Sequence, residues 1–71
     1  MSRDIKKLFA NKIIKLRNEK GFSQEELAAK SGIDRSYMSR IERGIVSTGI
    51  VKISQLATAL NMTESDLLNF K

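Results

Sequence analysis

Apolar residues recur along this chain at intervals of three and four positions, the spacing that places side chains on one face of an α-helix. The pattern predicts five helices. Their expected ranges are residues 4–20, 24–31, 35–43 and 50–60, followed by a short helix that opens at Thr63 and carries Leu67, Leu68 and Phe70. No segment alternates between apolar and polar residues as a β-strand does. The sequence therefore predicts an all-α fold with five helices in a single domain over residues 1–71.

The same pattern predicts the interior of the domain. The residues expected to face the core are Ile5, Leu8, Phe9, Ile13, Leu16, Leu27, Ala28, Met38, Ile41, Ile45, Ile53, Leu56, Ala57 and Leu60. The helix ends carry separate signals. Ser23 and Glu26 are spaced as a capping box before the second helix, and Gly21 and Gly44 each follow a helix end. These signals predict where the helices begin and end, in addition to how many helices there are.

The second and third helices are joined by a short turn around Gly32, which is the helix-turn-helix arrangement. A helical wheel divides the third helix into two arcs. The core arc carries Asp34, Tyr37, Met38, Ile41 and Ile45. The outer arc carries Arg35, Ser36, Ser39, Arg40 and Arg43, with Glu42 at the boundary. An outer arc of small, polar and cationic residues is typical of a surface that binds an anionic partner.

The charge of the chain favours the same kind of partner. The sequence has 13 Lys and Arg against 8 Asp and Glu, a formal net charge of +5. Twelve of those cations and only six of the acids lie in residues 1–52. Nucleic acid is the first candidate for an anionic partner. A basic surface that only keeps the protein in solution is the alternative that charge alone leaves open.

Several function classes are disfavoured by what the sequence lacks. It contains no Cys and no His, so the usual metal ligands and the commonest general base are missing. We therefore expect no enzyme, no metal and no cofactor, and the residues indicate no small-molecule ligand. No apolar run approaches the length of a membrane span. We expect a cytoplasmic protein with no membrane partner.

Three segments carry a resemblance to a known family. They are GFSQEELAAKSGI at residues 21–33, SRIERG at residues 39–44 and LATALNMTESDLL at residues 56–68, preceded by Arg17. Together they resemble the lambda-repressor-like regulators of the Cro, phage-repressor and XRE type. The segment DRSYMSRIERG at residues 34–44 is also similar to the controller proteins of restriction-modification systems. The resemblance implies a transcriptional regulator that binds double-stranded DNA in the bacterial or phage nucleoid.

The resemblance also implies roles for individual residues. A helix in the major groove reads base edges with residues near its N-terminus. The residues expected to read bases are Arg35, Ser36, Ser39 and Arg40. The residues expected at the DNA backbone are Arg17, Ser23, Gln24, Tyr37, Arg43, Ser47, Thr48 and Lys52. Two alternatives stay open: Arg40 could neutralise phosphate only, and Tyr37 could serve packing instead.

Two further expectations concern architecture. Arg17 and Glu42 occupy positions that form an ion pair between the first and third helices in the family. A homodimer on a pseudo-palindromic operator is expected, because one small domain reads too few base pairs to find a site alone. The proposed dimer interface comprises Met62, Leu67, Leu68 and Phe70. The alternative is that Leu67 and at least one of the others close the core.

The chain departs from the family in the loop before the fourth helix. Relatives often have Pro followed by Ser or Thr there, whereas this chain has Thr48 and Gly49. The loop also lacks the cations that enter the minor groove in some relatives, so minor-groove reading is not expected. The competing function is a protein-interaction regulator or antitoxin. Such a protein would expose large apolar residues on the third helix, where this chain has Arg and Ser.

Overall fold

The computed structural model describes residues 4–70. Its helices are α1 (Ile5–Glu19), α2 (Gln24–Ser31), α3 (Arg35–Arg43), α4 (Ile50–Ala59) and α5 (Glu64–Leu67). No β-strand occurs within those residues. The predicted all-α class and the order of five helices are confirmed. One boundary is wrong: α5 is a single turn that ends at Leu67, so Leu68 and Phe70 follow the helix instead of belonging to it.

Side-chain caps begin four of the five helices. The capping residues are Asp4, Ser23, Asp34 and Thr63, each accepting a hydrogen bond from a backbone N–H in the first turn. The capping box predicted at α2 is complete. Ser23 Oγ accepts from the Glu26 N–H at 3.0 Å, and the Glu26 carboxylate accepts from the Ser23 N–H at 2.8 Å. These bonds satisfy N–H groups that a helix leaves without partners, which fixes where each helix starts.

All five helices contribute to one core. Its most deeply buried side chains are Ile13, Leu27, Met38, Ile41, Leu56, Leu60 and Leu67. Helix α1 packs against α3, α2 packs against both α3 and α4, and α4 packs against α5. The core therefore packs against the inner arc of α3 and leaves its outer arc on the protein surface.

Two apolar residues predicted in the core are exposed instead. Ile5 is 51% exposed because it is the first residue of α1, where the helix has only begun to pass over the core. Ile45 is 53% exposed. It follows Gly44, whose left-handed backbone turns the chain out of the helix, so the helical wheel no longer applies. Val46, one residue later, packs against the core in its place.

Gly44 also lies close to the backbone of α1. Its φ is +71°, and a Cβ at this position would lie 2.8 Å from Cδ of Lys7 and 3.3 Å from its Cα. Gly44→Ala should therefore lower the free energy of unfolding by about 2 kcal/mol, from the strained φ and the contact with α1 together. Urea unfolding measures the loss. The matched control is Gly21→Ala, at φ +74° with nothing within 4 Å, which should lose only about 1 kcal/mol. Equal losses at the two positions would contradict the steric argument.

Candidate nucleic-acid interface

The outer arc of α3 and the start of α2 form one shallow depression on the protein surface. It is lined by Gln24, Arg35, Ser36, Ser39, Arg40 and Arg43. The structure thus brings together all four residues expected to read bases and two of those expected at the DNA backbone. The depression is open, polar and rich in arginine, as a surface for a polyanion needs to be.

Asp34 organises the start of α3. Its carboxylate accepts from the Ser36 N–H at 3.0 Å, from the Tyr37 N–H at 3.4 Å and from the Ser36 hydroxyl. The Ser36 hydroxyl and then the Tyr37 N–H lower the pKa of Asp34 below its ordinary value. Because the Ser36 hydroxyl donates to Asp34, what it offers a ligand is an acceptor oxygen. An amino group on a base edge would suit that oxygen.

Arg17 and Glu42 lie in contact behind the depression. Arg17 Nε donates to Glu42 Oε2 at 2.7 Å, and Nη2 donates to Oε1 at 3.0 Å. The two side chains are only 16% and 5% exposed. Arg17 Nη1 also donates to the Phe22 carbonyl at 2.9 Å. This geometry joins α1 to α3. The positive charge of Arg17 compensates the negative charge of Glu42, the acid that sequence reasoning placed beside the DNA-facing arc.

Gln24 belongs to the same network, which sequence reasoning missed. Its Nε2 donates to Glu42 Oε1 at 3.2 Å. The bond links the first residue of α2 to α3 and fixes the orientation of the Gln24 amide at the edge of the depression. Glu42 therefore accepts from two helices at once. The sequence held one hint of this bond, because Gln24 and Glu42 were both expected near the DNA-facing arc. Spacing alone, however, does not place the two side chains in contact.

A second link between α1 and α3 was also missed. Lys7 Nζ donates to the carbonyl of Arg43 at 2.9 Å. The last carbonyls of a helix lack partners within the helix, and a cation there also suits the helix dipole. Lys7 and Arg17 thus both hold the C-terminal end of α3, Lys7 at the Arg43 carbonyl and Arg17 at the Glu42 carboxylate. Nothing in the sequence pattern singles out Lys7 for this contact.

The remaining residues expected at the DNA backbone differ in their surroundings. Ser23 caps α2, and Ser47 is exposed. Tyr37 packs partly against the core, and Lys52 Nζ lies 4.9 Å from the centroid of its ring. Thr48 disagrees with the expectation, because its hydroxyl is buried and finds no hydrogen-bond partner among the described residues. A buried hydroxyl is not presented to a phosphate on the protein surface.

The residues expected at the dimer interface also separate into two groups. Leu67 is fully buried in the core, which corrects its assignment to the interface. Met62 packs on the core, and the Phe70 ring meets that of Phe9 edge-to-face at 6.5 Å. Only Leu68, at 44% exposure, presents a large apolar side chain to solvent. Because α5 has a single turn, its inward residue is needed to close the core. Little of the surface of α5 therefore remains for a second subunit.

Larger apolar exposure occurs at the start of α4. Ile50 is 81% exposed and Val51 is 70% exposed. Sequence reasoning included neither residue in an interface. The signal was present, because α4 carries more apolar residues than one buried face of a ten-residue helix can use.

Other kinds of site find little support in the described part of the chain. Residues 4–70 contain no group of three or more His, Cys, Asp or Glu side chains that could hold a metal ion. No helix in that range is both long and apolar enough to cross a membrane.

Comparisons with known proteins agree with this geometry. Residues 13–67 match a family model described as helix-turn-helix. The chain is similar to the control protein C.MunI of a Mycoplasma species, with 42% identity over 93% of this chain and 90% of that protein. It is also similar to the crystal structure of the restriction-modification controller protein C.AhdI from Aeromonas hydrophila. That match has a TM-score of 0.84 and 44% identity over 87% of this chain and 94% of that one.

A third match includes a ligand. The structure of SinR, described as the master regulator for biofilm formation and solved in complex with DNA, matches with a TM-score of 0.81. The identity is 34%, over 86% of this chain and 98% of that one. The family match spans most of the sequence and includes both helices of the motif. The chain belongs to the helix-turn-helix family of transcriptional regulators.

Proposed function

We propose that this regulator binds a pseudo-palindromic operator in double-stranded DNA as a symmetric homodimer, with α3 of each subunit in the major groove. The observation that carries the proposal is the depression that joins the arginine-rich arc of α3 to the start of α2. An α-helix fits the major groove, and the depression presents no large apolar side chain. That composition argues against a protein-interaction module, which needs an apolar contact surface there.

Each part of the depression has a distinct role in this proposal. Arg35 and Ser36 open α3 and reach base edges, and Arg40 follows about one turn later on the same arc. Gln24 and the free N–H groups at the start of α2 hold a phosphate. Arg43 at the end of α3 neutralises another. The phosphate contacts set the position of the protein on the duplex, and the α3 contacts select the sequence.

Selection of bound sequences from random duplex DNA tests the proposal. The expected product has two inverted half-sites about 10 base pairs apart. Each half-site should contain at least one G·C pair, because Arg35 can donate two hydrogen bonds to guanine O6 and N7. Selection that enriches no sequence, or enriches a single unrepeated site, would contradict the proposal. In the cell, such a protein would act in the cytoplasm at the bacterial or phage nucleoid.

The surface for the second subunit is proposed around the start of α4. Leu68 and Ile53 line one apolar cleft together with Ile5. Ile50 lies one helical turn before Ile53, so it stands on the same side of α4. Leu68 thus lines the cleft, and Ile50 extends the apolar side of α4 beyond it. Their burial against a second copy would remove two exposed apolar side chains from solvent.

A charged substitution at Ile50 should separate dimerisation from folding. We expect the protein to be dimeric at micromolar concentration by sedimentation, and Ile50→Glu to weaken dimerisation at least about tenfold by placing a charge in an apolar contact. The helical circular dichroism should stay unchanged, because Ile50 contributes little to the core. Gln55→Glu is the matched control, since it adds the same charge about 140° further around α4. A wild-type protein that stays monomeric with and without operator would refute the dimer.

A further inference from the structure

We propose that Glu25 is a specificity-determining residue, which acts by holding Arg35 for guanine and by repelling phosphate when guanine is absent. The inference rests on the proposed function, because it assigns Arg35 to base reading. It concerns Glu25, an acidic side chain within the described residues 4–70 that pairs with an arginine of the depression. Glu25 was given no role in DNA recognition by sequence reasoning.

The contact joins the two helices of the motif. Glu25 Oε1 lies 3.5 Å from Nε of Arg35, and the side chains are 71% and 69% exposed. Arg35 is the first residue of α3, and Glu25 lies in the first turn of α2. An ion pair this exposed is weak in water. It gains strength when DNA covers both residues and excludes solvent.

The atom that Glu25 holds determines what Arg35 can do. Guanidinium is a planar fork with Nε near its stem and two nitrogens at its end. A carboxylate at Nε leaves both terminal nitrogens for guanine O6 and N7, the pair of bonds that identifies this base. The same carboxylate limits the rotation of a long and flexible side chain. As DNA covers the pair and strengthens it, Arg35 is therefore held in the orientation that presents both terminal nitrogens to guanine.

The charge of Glu25 adds a second effect. On a duplex of the wrong sequence, Arg35 finds no guanine and its best alternative is a phosphate. Moving there would leave Glu25 unpaired beside the polyanion, which is unfavourable. On the correct sequence, Glu25 stays compensated by Arg35. A residue that penalises the wrong complex more than the right one raises specificity even where it adds nothing to affinity.

A purely structural role for Glu25 makes a different prediction. An acid in the first turn of a helix interacts favourably with the helix dipole. Loss of that interaction would lower stability and leave the ratio of operator to non-operator affinity unchanged. The ratio is therefore the informative quantity.

The test compares Glu25→Gln with Glu19→Gln, which removes the same charge from the exposed end of α1. Dissociation constants are measured at one salt concentration for the selected operator and for a scrambled duplex. Glu25→Gln should tighten binding to the scrambled duplex roughly fivefold and weaken operator binding about twofold, so the ratio falls about tenfold. Glu19→Gln should leave the ratio unchanged. A ratio that is unchanged in Glu25→Gln overturns the inference.

The same comparison in an Arg35→Ala protein distinguishes failure of this inference from failure of the proposed function. In an Arg35→Ala protein, adding Glu25→Gln should produce no further fall in the ratio, because the partner of Glu25 is already absent. A further fall of the same size would overturn the coupling. If Arg35→Ala itself leaves the ratio unchanged, the assignment of Arg35 to base reading fails. If Arg35→Ala lowers the ratio and Glu25→Gln does not, only the role of Glu25 fails.

Discussion

Replacing Glu42 with alanine is expected to lower the free energy of unfolding by about 3 kcal/mol, a large fraction of the stability of a small domain. The carboxylate accepts from Nε and Nη2 of Arg17 and from the side chain of Gln24. Its removal leaves a mostly buried guanidinium without its counter-charge, and burial of an unpaired charge is strongly unfavourable. Urea unfolding followed by circular dichroism measures the effect.

A double-mutant cycle assigns that loss to the pair. Arg17→Met keeps the apolar stem of the side chain and removes the charge. Together with Glu42→Ala it should show a coupling free energy of at least about 1.5 kcal/mol, because each single variant strands the other partner. Glu19→Ala, a change at an exposed acid, should stay within about 0.5 kcal/mol of wild type. A coupling free energy below about 0.5 kcal/mol would mean that the contact between α1 and α3 contributes little to stability.

The fold was predictable because local signals and the hydrophobic pattern agree. The capping residues Ser23 and Asp34 place the starts of α2 and α3, and Gly32 and Gly44 place their ends. With both ends fixed, the wheel assignment of the α3 arcs follows directly from helix geometry. The same argument fails at Ile45, since the periodicity of a helix says nothing about a residue beyond its C-cap.

The site was less predictable, because its remaining features depend on distances between helices. The bond from Gln24 to Glu42 and the bond from Lys7 to Arg43 join residues far apart in sequence. Such contacts depend on how the helices cross, which periodicity does not determine. The interface assignment failed at Leu67 for a related reason. An amphipathic stretch shows that a residue seeks burial, but it does not show whether the core or a second subunit provides it.

Arg35→Ala is expected to relax recognition at one base pair of each half-site by roughly fivefold to 150-fold, equivalent to about 1–3 kcal/mol of discrimination. The reason is that guanine is distinguished by two acceptors in the major groove, and alanine offers no donor to either. The preference is measured by competition between the selected operator and a variant that carries A·T at that position. Binding to a scrambled duplex should change much less, because a base contact adds little on the wrong sequence.

Gln24→Ala provides the contrast, since Gln24 is proposed to contact phosphate rather than a base. Its loss should weaken operator and scrambled duplex by similar factors and leave the preference for G·C unchanged. The fold should tolerate the change, because Glu42 keeps both of its bonds to Arg17. If instead Gln24→Ala changes the selected sequence and Arg35→Ala does not, α3 does not read the operator through its N-terminal residue. The orientation of the helix-turn-helix motif on DNA would then have to be revised.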